Sequence, residues 1–337
     1  MKVLSLSRKG RVAIHGLFGK IISLGNIFAA WREFQKGKMK RSDVLRFAEN
    51  AESHLIDLHR DLSRGAYQHG DYIPSVVYDP KKREISKASV RDRVLHRAVI
   101  RIVEPLFDRT FVFDSYSSRR TKGTHKAMDR FNEFARKLSQ NRTATVWVLQ
   151  CDIRRYFDSI NHGILGDLFK KKIENESLNS LVGEIIGSFN KSPNIGVPLG
   201  NLTSQLFSNI GLDRFDQFVK RILRVKHYIR YADDFVILSR DEKYLRDLLS
   251  VIRKFLRDEL RLEIHPDKIF LRKWHQGIDF LGWVHFPHYR VLRTKTKRRM
   301  FAKVLANPVA PVIASYRGLL KHGNARKLAA LLPEPRK

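Results

Sequence analysis

Two aspartates stand side by side in His227–Leu238 (HYIRYADDFVIL), between apolar, β-prone flanks. Tyr228, Ile229 and Tyr231 precede Asp233 and Asp234, and Phe235, Val236, Ile237 and Leu238 follow. This pattern predicts strand, tight turn, strand. Neighbouring carboxylates repel, and burying them is costly unless a cation neutralises them. Oxygen-only donors point to a hard divalent ion, Mg²⁺ with Mn²⁺ as a substitute. A water-facing Asp-Asp turn accounts for the same residues, because aspartate is a common turn former.

A second acidic position lies upstream. Thr145–Asp152 (TVWVLQCD) reads as an apolar strand that carries Asp152 at its C-terminal end, followed by IRRYFDSINH. If the two strands are neighbours, three carboxylates meet and can hold two metal ions about 4 Å apart. One would activate the attacking oxygen and the other stabilise a leaving phosphate oxygen. Taken alone, Asp152 reads equally well as a helix N-cap.

Other elements must position these strands. Val44, Leu45, Ala48, Ala51, Leu55, Leu58 and Leu62 recur at helical spacing, which predicts one helix over Ser42–Leu62 with Gly65 as its stop. Tyr72–Tyr78 and Glu84–Ala88 read as strands joined by the turn Asp79-Pro80-Lys81-Lys82. Helices are predicted at Arg91–Phe107, Thr124–Leu138, 162–173, 177–189, 203–222 and 242–260. Short strands are predicted at 262–265, 268–272, 278–286 and 290–293. Residues 1–25 read as a basic, irregular extension. Alternation without a repeating βαβ unit argues for an α+β fold.

The chain has 337 residues, with 65 Lys and Arg against 34 Asp and Glu, a formal net charge of +31. Such an excess opposes compaction and calls for a polyanionic partner. Nucleic acid is the leading candidate, and an anionic membrane surface is the other. No uninterrupted apolar run reaches the roughly 18 residues that span a bilayer. Cys151 is the only cysteine, which excludes an intramolecular disulfide and a zinc cluster. These features fit a cytoplasmic protein.

Six segments carry a family resemblance. Asp152–Ile160 (DIRRYFDSI), Gly196–Gln205 (GVPLGNLTSQ), Tyr231–Asp234 (YADD) and Phe280–Trp283 (FLGW) resemble, in order and spacing, the palm motifs of reverse transcriptases. Tyr78–Arg97 and Asp114–Ala127 resemble the fingers motifs of the bacterial branch, which includes group II intron and retron enzymes. Most of the family has Gln-Gly and Ser-Pro where this chain has Leu199-Gly200 and Ser204-Gln205. That departure resembles the reverse transcriptases of diversity-generating retroelements, which copy a template RNA with frequent errors at adenines. An apolar pocket discriminates weakly, so a missing amide at position 199 fits low fidelity. Ordinary fidelity with Leu199 and Gln205 as packing variants is the alternative.

The resemblance implies a right-hand polymerase fold and a set of roles. Asp152, Asp233 and Asp234 are the implied catalytic residues, and with Ile153 they form the metal-holding set for two Mg²⁺ ions. Lys82, Arg83, Arg91, Phe157, Leu199 and Gly200 are the implied dNTP contacts, with Phe157 as the ring that blocks a ribose 2′-hydroxyl. A solvated basic turn and a plain core phenylalanine are the competing readings of Lys82-Arg83 and of Phe157. Ser204, Gln205, Phe280, Leu281, Gly282 and Trp283 are implied to face template or primer, while an ordinary hairpin core also explains the last four. Lys268 resembles a general acid for pyrophosphate, although a surface lysine is the plainer reading.

The implied layout is a basic N-terminal extension over 1–40, fingers over 41–145 and 163–197, palm over 146–162 and 198–285, and a short helical thumb over 286–337. The implied activity is RNA-directed DNA polymerisation, encoded by a bacterium or phage. RNA template, a DNA or RNA primer, cDNA product, dNTPs and a small basic pentameric accessory protein are the implied partners. A retron-like or phage-defence enzyme of ordinary fidelity, and a non-catalytic RNA-binding scaffold, stand as alternatives.

Overall fold

The computed structural model describes residues 16–78 and 82–334. Residues 1–15 of the predicted extension, and Asp79, Pro80 and Lys81 of the predicted basic turn, lie outside the described residues. The chain divides into two compact units. The first holds the described residues up to Val112 together with Ile153–Phe218 and Phe255–Glu263; the second holds Phe113–Asp152, Val219–Lys254 and the chain from Ile264 onward.

In the first unit, the N-terminal region departs from the irregular extension expected for residues 1–25. Helices run over Leu17–Ile22 and Leu24–Gln35. Ile21, Ile27, Ala30, Trp31 and Phe34 are buried, and the second helix packs on the helix Val90–Asp108. Asn26 ties them together: its Nδ2 donates to Ala98 O at 3.1 Å and its Oδ1 accepts from Arg101 Nε at 3.0 Å. The helix expected over 42–62 is two helices, Ser42–Glu49 and Ala51–Ser63, because Asn50 leaves helical geometry at φ −128°.

Strands β1 (Ile73–Val77) and β2 (Arg83–Lys87) form an antiparallel hairpin whose first strand is exposed throughout. Helices follow at Tyr156–Ser159, His162–Lys172, Glu176–Gly187 and Leu202–Gln217. The helix expected over 203–222 ends at Gln217 and passes into a π-helical turn, Phe218–Ile222. Such turns widen the backbone ladder by one residue.

The second unit is built on an antiparallel pairing. Strands β3 (Trp147–Ile153), β4 (Tyr228–Tyr231), β5 (Asp234–Ser239) and β6 (Ile264–Lys273) lie in the order β4-β5-β3-β6. The two strands expected near 262–272 are thus one continuous β6. Strands β7 (Ile278–Phe280), β8 (Trp283–His285) and β9 (Arg290–Leu292) form a separate meander, so the strand expected over 278–286 folds back on itself at Leu281-Gly282. Leu281 and Gly282 sit at φ 53° and 87°, the left-handed pair that a two-residue hairpin turn requires.

The helix Thr124–Leu138 supplies Ala127, Phe131, Phe134 and Ala135 to a core shared with Val148, Ile229, Val236 and Phe280. A second core gathers Trp283 with Met300, Val304, Ile313 and Leu320 from the C-terminal helices Thr294–Ala306 and Ala310–Leu320. No helix among the described residues is long and apolar enough to cross a membrane. The fold is α+β, as the alternation of elements predicts.

Candidate active site

The β3–β5 register sets Asp152 opposite Asp234. Asp233 occupies the two-residue turn between β4 and β5, where Ala232 takes φ 55°. The strand–turn–strand reading of YADD is therefore correct, and the two strands that end in carboxylates are neighbours. Asp152 is only 9% exposed. Burial, then the negative charge of Asp233 and the carboxyl of Asp152, push Asp234 far above the usual carboxylate range, to about 8.

The cation beside this cluster is a lysine. Lys268 Nζ, on β6, stands 2.7 Å from Asp152 Oδ1. Its side chain is 40% exposed, so Lys268 is a surface lysine that is also ion-paired to the cluster. Among the described residues, no group of three His, Cys, Asp or Glu stands in a ready metal-holding arrangement. The donor chemistry still fits a hard divalent ion, because three neighbouring carboxyls offer oxygen donors, and burial with the charge of Asp233 raises Asp234.

A residue that the motif reading passed over braces the turn. Arg230 is fully buried; its Nη1 donates to Ala232 O at 2.9 Å and its Nη2 to Ser115 Oγ at 3.0 Å. Its backbone N–H donates to Asp114 O at 2.9 Å, and Tyr116 N–H donates back to Arg230 O at 2.9 Å. The Asp114–Tyr116 segment is thus structural support for β4. The available signal was an arginine in an otherwise apolar strand, which must find partners when buried.

Phe280 and Trp283 pair across the β7–β8 turn and are both buried, each in a different core. The hairpin-core reading describes these two rings; only Leu281 and Gly282 are partly exposed. Gly282 O accepts from Arg293 N, and Arg293 Nη1 reaches Asp279 Oδ2 at 3.2 Å.

In the first unit, the implied nucleotide-contacting segments are joined through backbone. Phe157 O accepts from Val197 N at 2.8 Å, and Leu199 O accepts from Ser86 N of β2 at 3.2 Å. Asn201 Nδ2 donates to Ser86 O at 3.1 Å. Gly200 is required where it stands: φ is 104°, and a Cβ would lie 2.5 Å from Ile85 Cγ2. Lys82 and Arg83 are exposed on the same hairpin. Arg91 is engaged elsewhere, with its Nη2 on Asp61 Oδ2 at 2.6 Å and its guanidinium over the Tyr67 ring. Ser204 is buried at 2% exposure, whereas Gln205 faces solvent. Ile153 is buried and Phe157 partly so.

The family model described as "Reverse transcriptase (RNA-dependent DNA polymerase)" matches residues 78–285. The chain belongs to the reverse transcriptase family. It is similar to Protein YkfC of Escherichia coli (strain K12), at 26% identity over 66% of this chain and 67% of that protein. It is also similar to the group II intron-encoded protein LtrA of Lactococcus lactis subsp. cremoris, at 22% identity over 68% of this chain but only 49% of that protein. Among solved structures, telomerase from Candida albicans matches with a TM-score of 0.49 and 12% identity, over 70% of this chain and 47% of that one.

Proposed function

We propose that this chain is an RNA-directed DNA polymerase of the diversity-generating kind, which copies a template RNA into cDNA with errors concentrated at template adenines. The observation that carries the polymerase reading is the opposition of Asp152 and Asp234 in the β3–β5 register, with Asp233 beside them in the turn. A non-catalytic RNA-binding scaffold has no use for a buried acidic cluster that destabilises itself.

In this reading Asp152, Asp233 and Asp234, with Ile153 adjacent, hold two Mg²⁺ ions, Mn²⁺ serving as substitute. Bound there, the ions would supply positive charge to the attacking primer oxygen and the leaving pyrophosphate. Asp234, whose carboxyl is raised to about 8, holds a proton near neutral pH, and a bound divalent ion would supply the positive charge that favours its ionised form. Lys268 pairs with Asp152, and in this reading it serves as the proton donor to pyrophosphate. Lys82 and Arg83 grip the triphosphate, Phe157 bars a ribose 2′-hydroxyl, and Leu199-Gly200 line the base pocket. Gln205 and the Leu281-Gly282 turn contact template and primer. Fingers (41–145, 163–197), palm (146–162, 198–285) and thumb (286–337) name these roles along the chain. A structured template RNA, a primer and a small basic pentameric accessory protein complete the assembly.

The likeness to a group II intron-encoded protein favours a second reading, a reverse transcriptase outside the diversity-generating class, for which ordinary fidelity is the expectation. Primer extension on an RNA template with Mg²⁺ tests the polymerase; Asp233→Ala abolishes it, and full activity in that variant refutes the acidic site. Sequencing the cDNA separates the two readings. Errors largely at template adenines, reduced by Leu199→Gln, support the diversity-generating one, and a uniform low error rate supports the other.

A further inference from the structure

At the opposite end of the β7–β8–β9 meander from the Leu281-Gly282 turn, the second unit holds a cavity of about 730 Å³, within the size range of small-ligand sites. The β8–β9 turn forms one wall. There the Phe286 and Tyr289 rings lie 5.0 Å apart, and Tyr289 is 49% exposed. Exposed aromatic rings beside cations are what single-stranded nucleic-acid sites use, since every base offers a face to stack.

The charges of the wall are unbalanced. Its two acids are already paired: Asp129 Oδ1 with Arg290 Nη1 at 2.9 Å, and Glu133 Oε2 with Arg130 Nη1 at 2.8 Å. Arg136, Arg142, Lys321 and Arg326 also line the cavity, and none of the four has a carboxylate partner among the described residues. Arg142 Nε donates to Pro287 O at 2.7 Å, which fixes its guanidinium at the turn. Trp274 supplies an independent sign of a missing ligand. It lines the cavity at 4% exposure, and its buried Nε1–H has no acceptor. A buried donor left unpaired is costly.

We infer that this cavity is a second nucleic-acid site, which takes an unpaired RNA segment by stacking a base on Phe286 and Tyr289 and holding its phosphates with Arg136, Arg142, Lys321 and Arg326. The ligand is single-stranded because a base inside a helix is already stacked on its neighbours and offers no free face. The site is separate from the acidic cluster and stands whether or not that cluster polymerises.

The test uses the full chain and a short RNA single strand carrying 4-thiouridine, without dNTPs. Photo-crosslinks mapped by mass spectrometry fall on Trp274, Phe286 or Tyr289. Tyr289→Ala weakens single-strand binding about tenfold, and Tyr289→Phe, which keeps the ring, does not. Lys321→Gln lowers the slope of log affinity against log salt by about 0.7, the value for one phosphate contact on a single strand. Both Tyr289→Ala and Lys321→Gln leave the affinity for a blunt RNA–DNA hybrid unchanged. Crosslinks confined to other segments overturn the inference, as does a hybrid affinity that falls in step with the single strand. If uridine monophosphate alone displaces the strand at equal concentration, the cavity takes a free nucleotide and the RNA assignment fails.

Discussion

Lys268 Nζ stands 2.7 Å from Asp152 Oδ1, so the ammonium on β6 occupies one flank of the acidic cluster. An ion pair with this much exposure is worth up to about 1 kcal/mol. A divalent ion binding to Asp152 must compete with it. Lys268→Gln is therefore expected to tighten Mn²⁺ binding by about threefold to fivefold, read by titration with Mn²⁺ as a paramagnetic probe. Unchanged or weaker binding would show that the lysine does not compete for the carboxylate.

Asp234 gives a pH signature. Its carboxyl is raised from 3.8 to about 8 by burial and by Asp233 and Asp152. Between those values the folded chain keeps a proton that the unfolded chain has released, so this contribution to stability is greatest at the acid end and is lost as pH climbs to about 8. In EDTA, the melting temperature of the Asp234→Asn variant relative to wild type should rise across that window. Saturating Mg²⁺ should shrink the difference, because the cation replaces the proton. A pH-independent difference in EDTA would remove the premise.

Arg230 holds the carbonyl of Ala232 from beneath, and Ala232 sits at φ 55°. Arg230→Met strips the turn of its donor and leaves a part-buried carbonyl without its partner, a cost of about 1 kcal/mol or more. Turnover is expected to fall at least tenfold, since the turn carries Asp233, while affinity for primer–template hybrid stays near wild type. Equal losses in both would mean global unfolding, which urea denaturation detects.

Gly200 meets Ile85 across the contact between the 199–201 loop and β2. Gly200→Ala imposes both a clash and a φ of 104° on a residue with a Cβ, at a combined cost of about 1–3 kcal/mol. The double variant with Ile85→Ala should recover only the steric share. Full recovery in urea denaturation would show that backbone conformation contributes nothing.

The acidic hairpin was legible because two short apolar, β-prone runs flank a pair of aspartates within twelve residues. The pairing of β3 with β5 was not, because no local pattern records which strands become neighbours. Arg230 lies inside the acidic hairpin's own segment, yet its role depends on Ser115, far away in sequence. At the N-terminus, Ser23 and Gly25 interrupt the apolar spacing of Ile21, Ile27 and Trp31, so two short helices resembled an irregular tail. Asn50 hid a helix break in the same way, since the apolar rhythm runs on through it.

Cys151 precedes Asp152 on β3, is wholly buried, and has its thiol pushed up to about 12, chiefly by burial. An alkylating reagent meets a neutral, shielded sulfur for as long as β3 stays seated between β5 and β6. Labelling of this one sulfur therefore acts as a clock for the opening of the sheet that carries Asp152, readable during turnover without any added probe.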